Sequence, residues 1–247
     1  MNKFFIFLIL LVCCSCSEKD NERTAQQIIN KSIEVSGGHL HDSSKVSFRF
    51  RDRNYVAYIK DGRKVLERQT TTDSLTITDV KTNMSFERFF NDNLIRLPDS
   101  VANRYANSVN SVHYFARLPY GLNDPAVNKE LLGKVPLNGK DYYKIKVTFA
   151  EENGGEDFED AYLYWFNTAT LKPDFLAYEF HVDGGGIRFR EAFNERYVNG
   201  IRFVDYRNFK ADPDEVDFMK VDSLFEKGSL ELLSKIELEA IEVIREH

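Results

Sequence analysis

Apolar and polar residues alternate through most of this chain, and that period of two limits what it can become. Val46, Phe48 and Phe50 alternate with Ser47, Arg49 and Arg51, and Tyr143, Ile145, Val147 and Phe149 repeat the pattern further on. A period of two gathers one set of side chains on one face of a strand. The strand-like runs are punctuated by Asp61-Gly62, Asn138-Gly139 and Asn199-Gly200, dipeptides that accept the positive φ angles of two-residue hairpin turns. Glycine-rich breaks at residues 153–155 and 184–186 serve the same end. Strands joined in order by tight turns make an antiparallel meander. The 20 Phe and 12 Tyr suit a pleated, half-buried surface.

Two segments keep a helical period instead. Residues 24–35 carry Ile28, Ile29, Ile33 and Val35 among polar neighbours, with Thr24 as N-cap and Gly37-Gly38 as the stop. In the middle of the chain Val101, Tyr105, Val109, Val112 and Phe115 fall at helical spacing behind Pro98, with Asp99 or Ser100 as the cap. Residues 116–128, with two prolines, read as an ordered loop. The tail, residues 230–244, has helix-forming content, yet Ile236, Leu238 and Ala240 alternate with charged residues. We read it as a strand, with a helix as the alternative.

The first residues carry a different message. Lys3 precedes an apolar run from Phe4 to Val12, shorter than the roughly 17–25 residues of a spanning helix, and a cysteine cluster follows. This is the plan of a cleaved export signal. Ser15-Cys16 at its end resembles the lipobox of bacterial lipoproteins, which implies a multiply acylated Cys16 held to the cell outer membrane, with Cys14 as the alternative acylation site. All three cysteines, Cys13, Cys14 and Cys16, lie in this signal, so an ordinary core must stabilise the rest. The expected organisation is a signal peptide at 1–15, a polar tether at 16–23 and one domain over 24–247. The formal charge of −6 is modest and mixed, and nucleic-acid binding asks for a basic patch. No cofactor is expected.

Several polar residues interrupt the apolar faces. If three late strands are neighbours, His181, Glu191, Asp205 and Arg207 converge, as acid–base chemistry requires. The alternative is that Glu191, Asp205 and Arg207 pair internally, because buried charges need partners. His39-Leu-His41 and the acidic run at 151–160 lack the ligand number and spacing of a metal site and read as a solvated loop and a hairpin tip. Lys144 and Lys146 read as facing water. No nucleophile elbow or phosphate loop occurs in the sequence.

A helix, a meander, a lid-like helix and more meander resemble the lipoprotein-carrier superfamily typified by LolA and LolB, and the resemblance spans nearly the whole mature chain. It implies an α+β fold: a single curved, mostly antiparallel sheet, an open half-barrel, with the N-terminal helix and a mid-chain lid over an apolar cavity. Residues 108–125 and 183–190 are also similar to an uncharacterised family of Bacteroidota lipoproteins. From these readings Tyr105, Val109, Val112, Phe115, Tyr120 and Arg207 are the candidate ligand-binding residues. A hydrophobic or amphipathic ligand, such as lipid, is the expected occupant of a monomeric, periplasmic or surface-exposed protein. A scaffolding lipoprotein with a filled barrel is the second reading. A hydrolase or lyase using His181, Glu191 and Asp205 is the third.

Overall fold

The computed structural model describes residues 23–150, 160–181, 185–213 and 216–246. The export signal, Cys14, Cys16, nearly all of the tether and the tips around residues 154 and 184 lie outside the described residues.

Helix α1 (Ala25–Val35) opens with a full capping box: Thr24 accepts from the Gln27 backbone, and Gln27 reaches back to Thr24. It stops where Gly37 turns left-handed at φ +69°, and a Cβ there would meet the Gly200 carbonyl oxygen at 1.9 Å. Only glycine permits that approach. A 3-10 turn (Gly38–Ser43) leads into β1 (Ser44–Phe50), β2 (Arg53–Lys60), β3 (Arg63–Thr71), β4 (Thr76–Thr82), β5 (Phe86–Phe90) and β6 (Asn93–Ile95). Asp61-Gly62, Asn138-Gly139 and Asn199-Gly200 all turn with both φ angles positive, as their composition predicts. Asn91-Asp92 does the same without a glycine.

Helix α2 (Asp99–Ala116) then leaves this sheet. Neither predicted side-chain cap forms: the helix begins at Pro98, and Asp99 sits in its first turn, where its charge suits the helix dipole. A second 3-10 turn (Tyr120–Asn123) follows. The predicted loop ends early, because β7 (Val127–Leu137) begins before Asn128 and runs without a break to the Asn138-Gly139 turn. The meander continues through β8 (Lys140–Phe149), β9 (Ala161–Asn167), β10 (Pro173–Phe180), β11 (Gly186–Val198) and β12 (Ile201–Ala211). A short helix, α3 (Val221–Glu226), precedes β13 (Glu231–Ile236) and β14 (Glu239–Arg245), so the tail is strand.

The fold is α+β and the sheet is curved, antiparallel and unclosed. It divides into two seven-stranded ladders, β14-β1-β2-β3-β4-β5-β6 and β13-β12-β11-β10-β9-β8-β7. The chain crosses between them twice: once through α2, and once through Glu237-Leu238, the two residues separating β13 from β14. At that second crossing the Asp205 carboxylate accepts from the Leu238 amide at 2.9 Å. The main core fills the space between the ladders, with Ile28 and Ile29 of α1, Val112 and Phe115 of α2, and Tyr164, Phe166 and Tyr206 of the second ladder.

The second ladder is buried on its other face too. Leu163, Trp165, Phe175 and Phe189 pack there beneath Phe218, Val221 and Phe225, contributed by the segment around α3. Lys144 is on this outer face, as its alternation predicts, but it does not meet water. It is buried and donates to Asp222 at 2.7 Å and to the Met219 carbonyl at 2.6 Å. The Trp165 indole donates to the same carboxylate at 3.1 Å. The period placed the lysine on its face correctly; the α3 cover comes from a distant segment with no strand signal of its own.

Candidate functional site

Helix α2 lies across the inner face of the first ladder, against β3, β4 and β5. The rows it covers are set by strand register: Leu66–Lys81–Phe86 in one and Arg68–Asp79–Arg88 in the next. Val109 inserts with Ala57 and Leu66 as a small apolar cluster. Beside it lies a buried ionic triad. Arg88 meets Asp79 through two hydrogen bonds of 2.6 and 2.9 Å, and Arg68 reaches the same carboxylate at 2.6 and 2.9 Å. Ser108 of α2 accepts from Arg68 at 2.8 Å, and the Arg88 guanidinium stacks on Tyr105 at 3.4 Å from the ring centre. Buried charges persist only when paired and hydrogen-bonded, and here one carboxylate and the lid helix serve two guanidinium groups.

The inner face of the second ladder is aromatic. Register aligns Tyr162, Tyr178 and Arg188 in one row and Tyr164, Leu176 and Arg190 in the next. Tyr114 of α2 reaches across to Tyr164, hydroxyl to hydroxyl, at 3.1 Å. The rings form a continuous wall: Phe149 to Tyr162 at 5.6 Å, Tyr162 to Tyr178 at 5.5 Å and Tyr178 to Phe180 at 5.9 Å. Phe149, Tyr162, Tyr178, Phe180 and Tyr114 are only half-buried, so part of the wall meets solvent. Arg190 donates to the Tyr178 hydroxyl at 3.2 Å and stacks on Phe115 at 5.2 Å.

The sequence-predicted ligand residues separate into groups. Val109, Val112 and Phe115 are buried, and Phe115 packs edge-on against Phe50 at 5.5 Å. Tyr105 lies against the Arg88 guanidinium of the ionic triad and stacks on Phe86 at 6.4 Å. Tyr120 sits beyond the helix in the second 3-10 turn, and Arg207 lies on the outer face of the second ladder, paired with Glu191 at 3.0 Å.

Glu191 and Asp205 are on the neighbouring strands β11 and β12, and His181 lies just past the end of β10, but the three are not brought together. Asp205 is held by Arg196 at 2.9 Å and Asn194 at 2.6 Å. His181 follows the end of β10, six residues beyond Phe175, the position that faces Glu191; at about 3.3 Å per residue the separation is about 20 Å. His41 also departs from expectation. It is buried in the first 3-10 turn rather than solvated, while His39 is exposed, so the pair shares no surface. Among the described residues no three His, Cys, Asp or Glu side chains gather as a metal site, and no described helix is long and apolar enough to cross a membrane.

The two buried histidines are kept neutral. Burial, reinforced by Arg117 and Lys64, lowers the His41 pKa to about 3. Burial lowers that of His113 to about 3, with Arg117 adding to the effect. His113 packs edge-on against the stacked pair of Phe48 and Tyr55, and its Nε2 lies 2.9 Å from the Glu67 carbonyl. The aromatic wall and its arginines were missed at the sequence level because β10 and β11 carry large side chains on both faces, so alternation alone did not say which face turned inward.

No curated protein matches the chain. Among solved structures, a DUF1329 family protein from Desulfovibrio piger shares the fold, with a TM-score of 0.51 at 12% identity over 89% of this chain and 92% of that one. A LolA superfamily protein from Nitrosomonas europaea is similar at a TM-score of 0.48 and 14% identity, over 91% of this chain and 94% of that one. A family model described as a family of unknown function, DUF6503, matches residues 2–238. With nearly its whole length matched, the chain belongs to the DUF6503 family.

Proposed function

We propose that this is a lipid-anchored protein of the cell envelope that binds a hydrophobic or amphipathic ligand, such as lipid, on the inner wall of its second ladder, without catalysis. Residues 24–247 act as one unit, and Cys16 carries the acyl chains that hold it to the outer membrane. The observation that supports the ligand reading is the run of half-buried rings from Phe149 through Tyr162 and Tyr178 to Phe180, bounded by Tyr114. Binding sites are mostly apolar concavities with a few placed polar groups, and Arg190 and the tyrosine hydroxyls are such groups here. Val109, Val112 and Phe115 shape this reading from behind, as the packed support of α2.

The same burial favours a second reading. Val109 is fully buried, and Val112 and Phe115 nearly so, which is how core residues of a filled scaffold behave. Native mass spectrometry and lipid extraction of the full chain, purified in mild detergent, separate the two. A discrete co-purifying lipid, lost in Tyr162→Glu and Tyr178→Glu, is the expected result. A bare protein mass that persists after incubation with membrane lipids would leave the scaffold.

A further inference from the structure

At the C-terminal end of α2 the chain assembles a second polar corner, independent of the aromatic wall. Five segments meet there: the 3-10 turn holding His41 and Asp42, the start of β3 with Lys64, the end of β4 with Lys81, the last turn of α2 with Arg117 following it, and the second 3-10 turn holding Tyr120 with Asp124 just after it. Tyr120 is the hub. The His41 ring lies 4.6 Å from its centre, and Lys64 Nζ and Arg117 Cζ each lie 5.1 Å from it. Its hydroxyl donates to Asp42 at 2.5 Å.

The cations here outnumber what the acids satisfy. Arg117 is buried, yet its hydrogen bond is a long one of 3.4 Å from Nε to the His113 carbonyl, and no described carboxylate lies within ion-pair distance. Lys64 reaches Asp124 only at 4.0 Å. Lys81 is half-buried, set between Leu66 and Phe86 in register, with no described carboxylate in ion-pair distance. Three cations thus face two carboxylates, Asp42 and Asp124, both on the exposed rim. His41 Nδ1 is buried without a partner. Burial and then Lys64 push the Lys81 pKa down, and burial also lowers those of Lys64 and Arg117. The negative end of the α2 dipole compensates part of the Arg117 charge, but neither lysine stands on that helix.

We propose that Lys64, Lys81 and Arg117, gathered beside the Tyr120 ring, form a phosphate-binding site. A guanidinium fork with two ammonium groups suits a dianionic oxyanion, which supplies the charge and the acceptors that these donors lack. The phosphate is either free or the terminal group of a lipid.

Titration calorimetry of the full chain in mild detergent tests this, with inorganic phosphate against chloride at matched ionic strength. Saturable one-to-one binding of phosphate is expected. Lys81→Met, a change at a half-exposed position, should weaken it at least ten-fold. Asp124→Asn, which removes a competing anion, should tighten it several-fold. A cluster that merely balances its own charges gives no saturable binding in the native chain or in Asp124→Asn, and that result overturns the proposal, as does native affinity in Lys81→Met. A parallel titration with short-chain phosphatidic acid identifies the source. A ten-fold preference over inorganic phosphate assigns a lipid headgroup, and equal affinity assigns the free ion. Lipid binding abolished by Tyr162→Glu but unaffected by Lys81→Met would overturn this site and leave the aromatic wall intact.

Discussion

The two ladders have the same number of strands, but β14 returns to flank β1 in the first whereas the second runs in unbroken chain order, and the chemistry they turn toward α2 differs. The first ladder turns Arg68, Asp79, Arg88, Lys64 and Lys81 toward α2, whereas the second turns Tyr143, Ile145, Tyr162, Tyr164, Phe166 and Leu176 inward. The outer faces differ as well. Residues around α3 cover the second ladder, and α2 is the only described helix packed extensively on the first, on its inner side. The comparison shows that backbone topology sets the frame while side-chain chemistry divides the labour. Ion pairs with directional geometry dominate where β3, β4 and β5 face α2, while stacked rings dominate both faces of the second ladder, with Lys144–Asp222 as a latch on its outer side.

If the first ladder depends on its triad, the largest effect comes from its shared acid. Asp79→Ala leaves two guanidinium groups buried without a counter-ion, and breaking a buried pair costs about 3–5 kcal/mol. Urea unfolding followed by circular dichroism should show that loss; a shift below about 1 kcal/mol would mean that water or Ser108 compensates and would erase the contrast.

Acid should come next. Because both buried histidines have folded pKa values near 3, below the unfolded value near 6.5, the unfolded chain binds more protons between those limits. Stability is therefore fully present above about pH 6.5 and falls as pH drops toward 3, by about 1.4 kcal/mol per pH unit for each histidine. His113→Phe should roughly halve that slope, and an unchanged slope would show that other groups drive acid unfolding.

On the second ladder, Asp222→Asn removes the charge that Lys144 and Trp165 share. The expected cost is about 1.5–3 kcal/mol, the worth of a hydrogen bond to a charged group. Proteolysis should quicken around residues 216–230, with the ring core beneath intact; cleavage spread equally over both ladders would contradict a local latch. The smallest effect belongs to the seam. Arg49 and Glu239 form a contact between β1 and β14 that is more than half exposed. Glu239→Gln should cost under about 1 kcal/mol and fade with salt.

Much of this architecture could be read from local pattern. Alternation marked the strands, and the Asp-Gly and Asn-Gly turns joined them, because turn geometry depends on the φ preferences of two residues. Thr24 and Gly37 bounded α1 for the same local reason. The spacing of Val109, Val112 and Phe115 placed one face of α2 inward. Short-range signals were also where the reading went astray: Asp99 and Ser100 looked like caps, but the chain entered the helix through Pro98.

What tertiary structure alone decided is which of two plausible faces turned inward and what covered the other. Glu191 and Arg207 share a face with Phe189, but that face lies under and beside α3, away from α2. Lys144 alternates like a solvent-facing residue and is buried by a segment more than seventy positions away. His41, Lys64, Lys81, Arg117 and Tyr120 are scattered over about eighty residues and meet only because β3, β4 and the end of α2 pack at one corner. Period two specifies that neighbours alternate, an intrinsic consequence of strand geometry. Which set is buried depends on desolvation by the rest of the chain, and that is a property of the assembled fold.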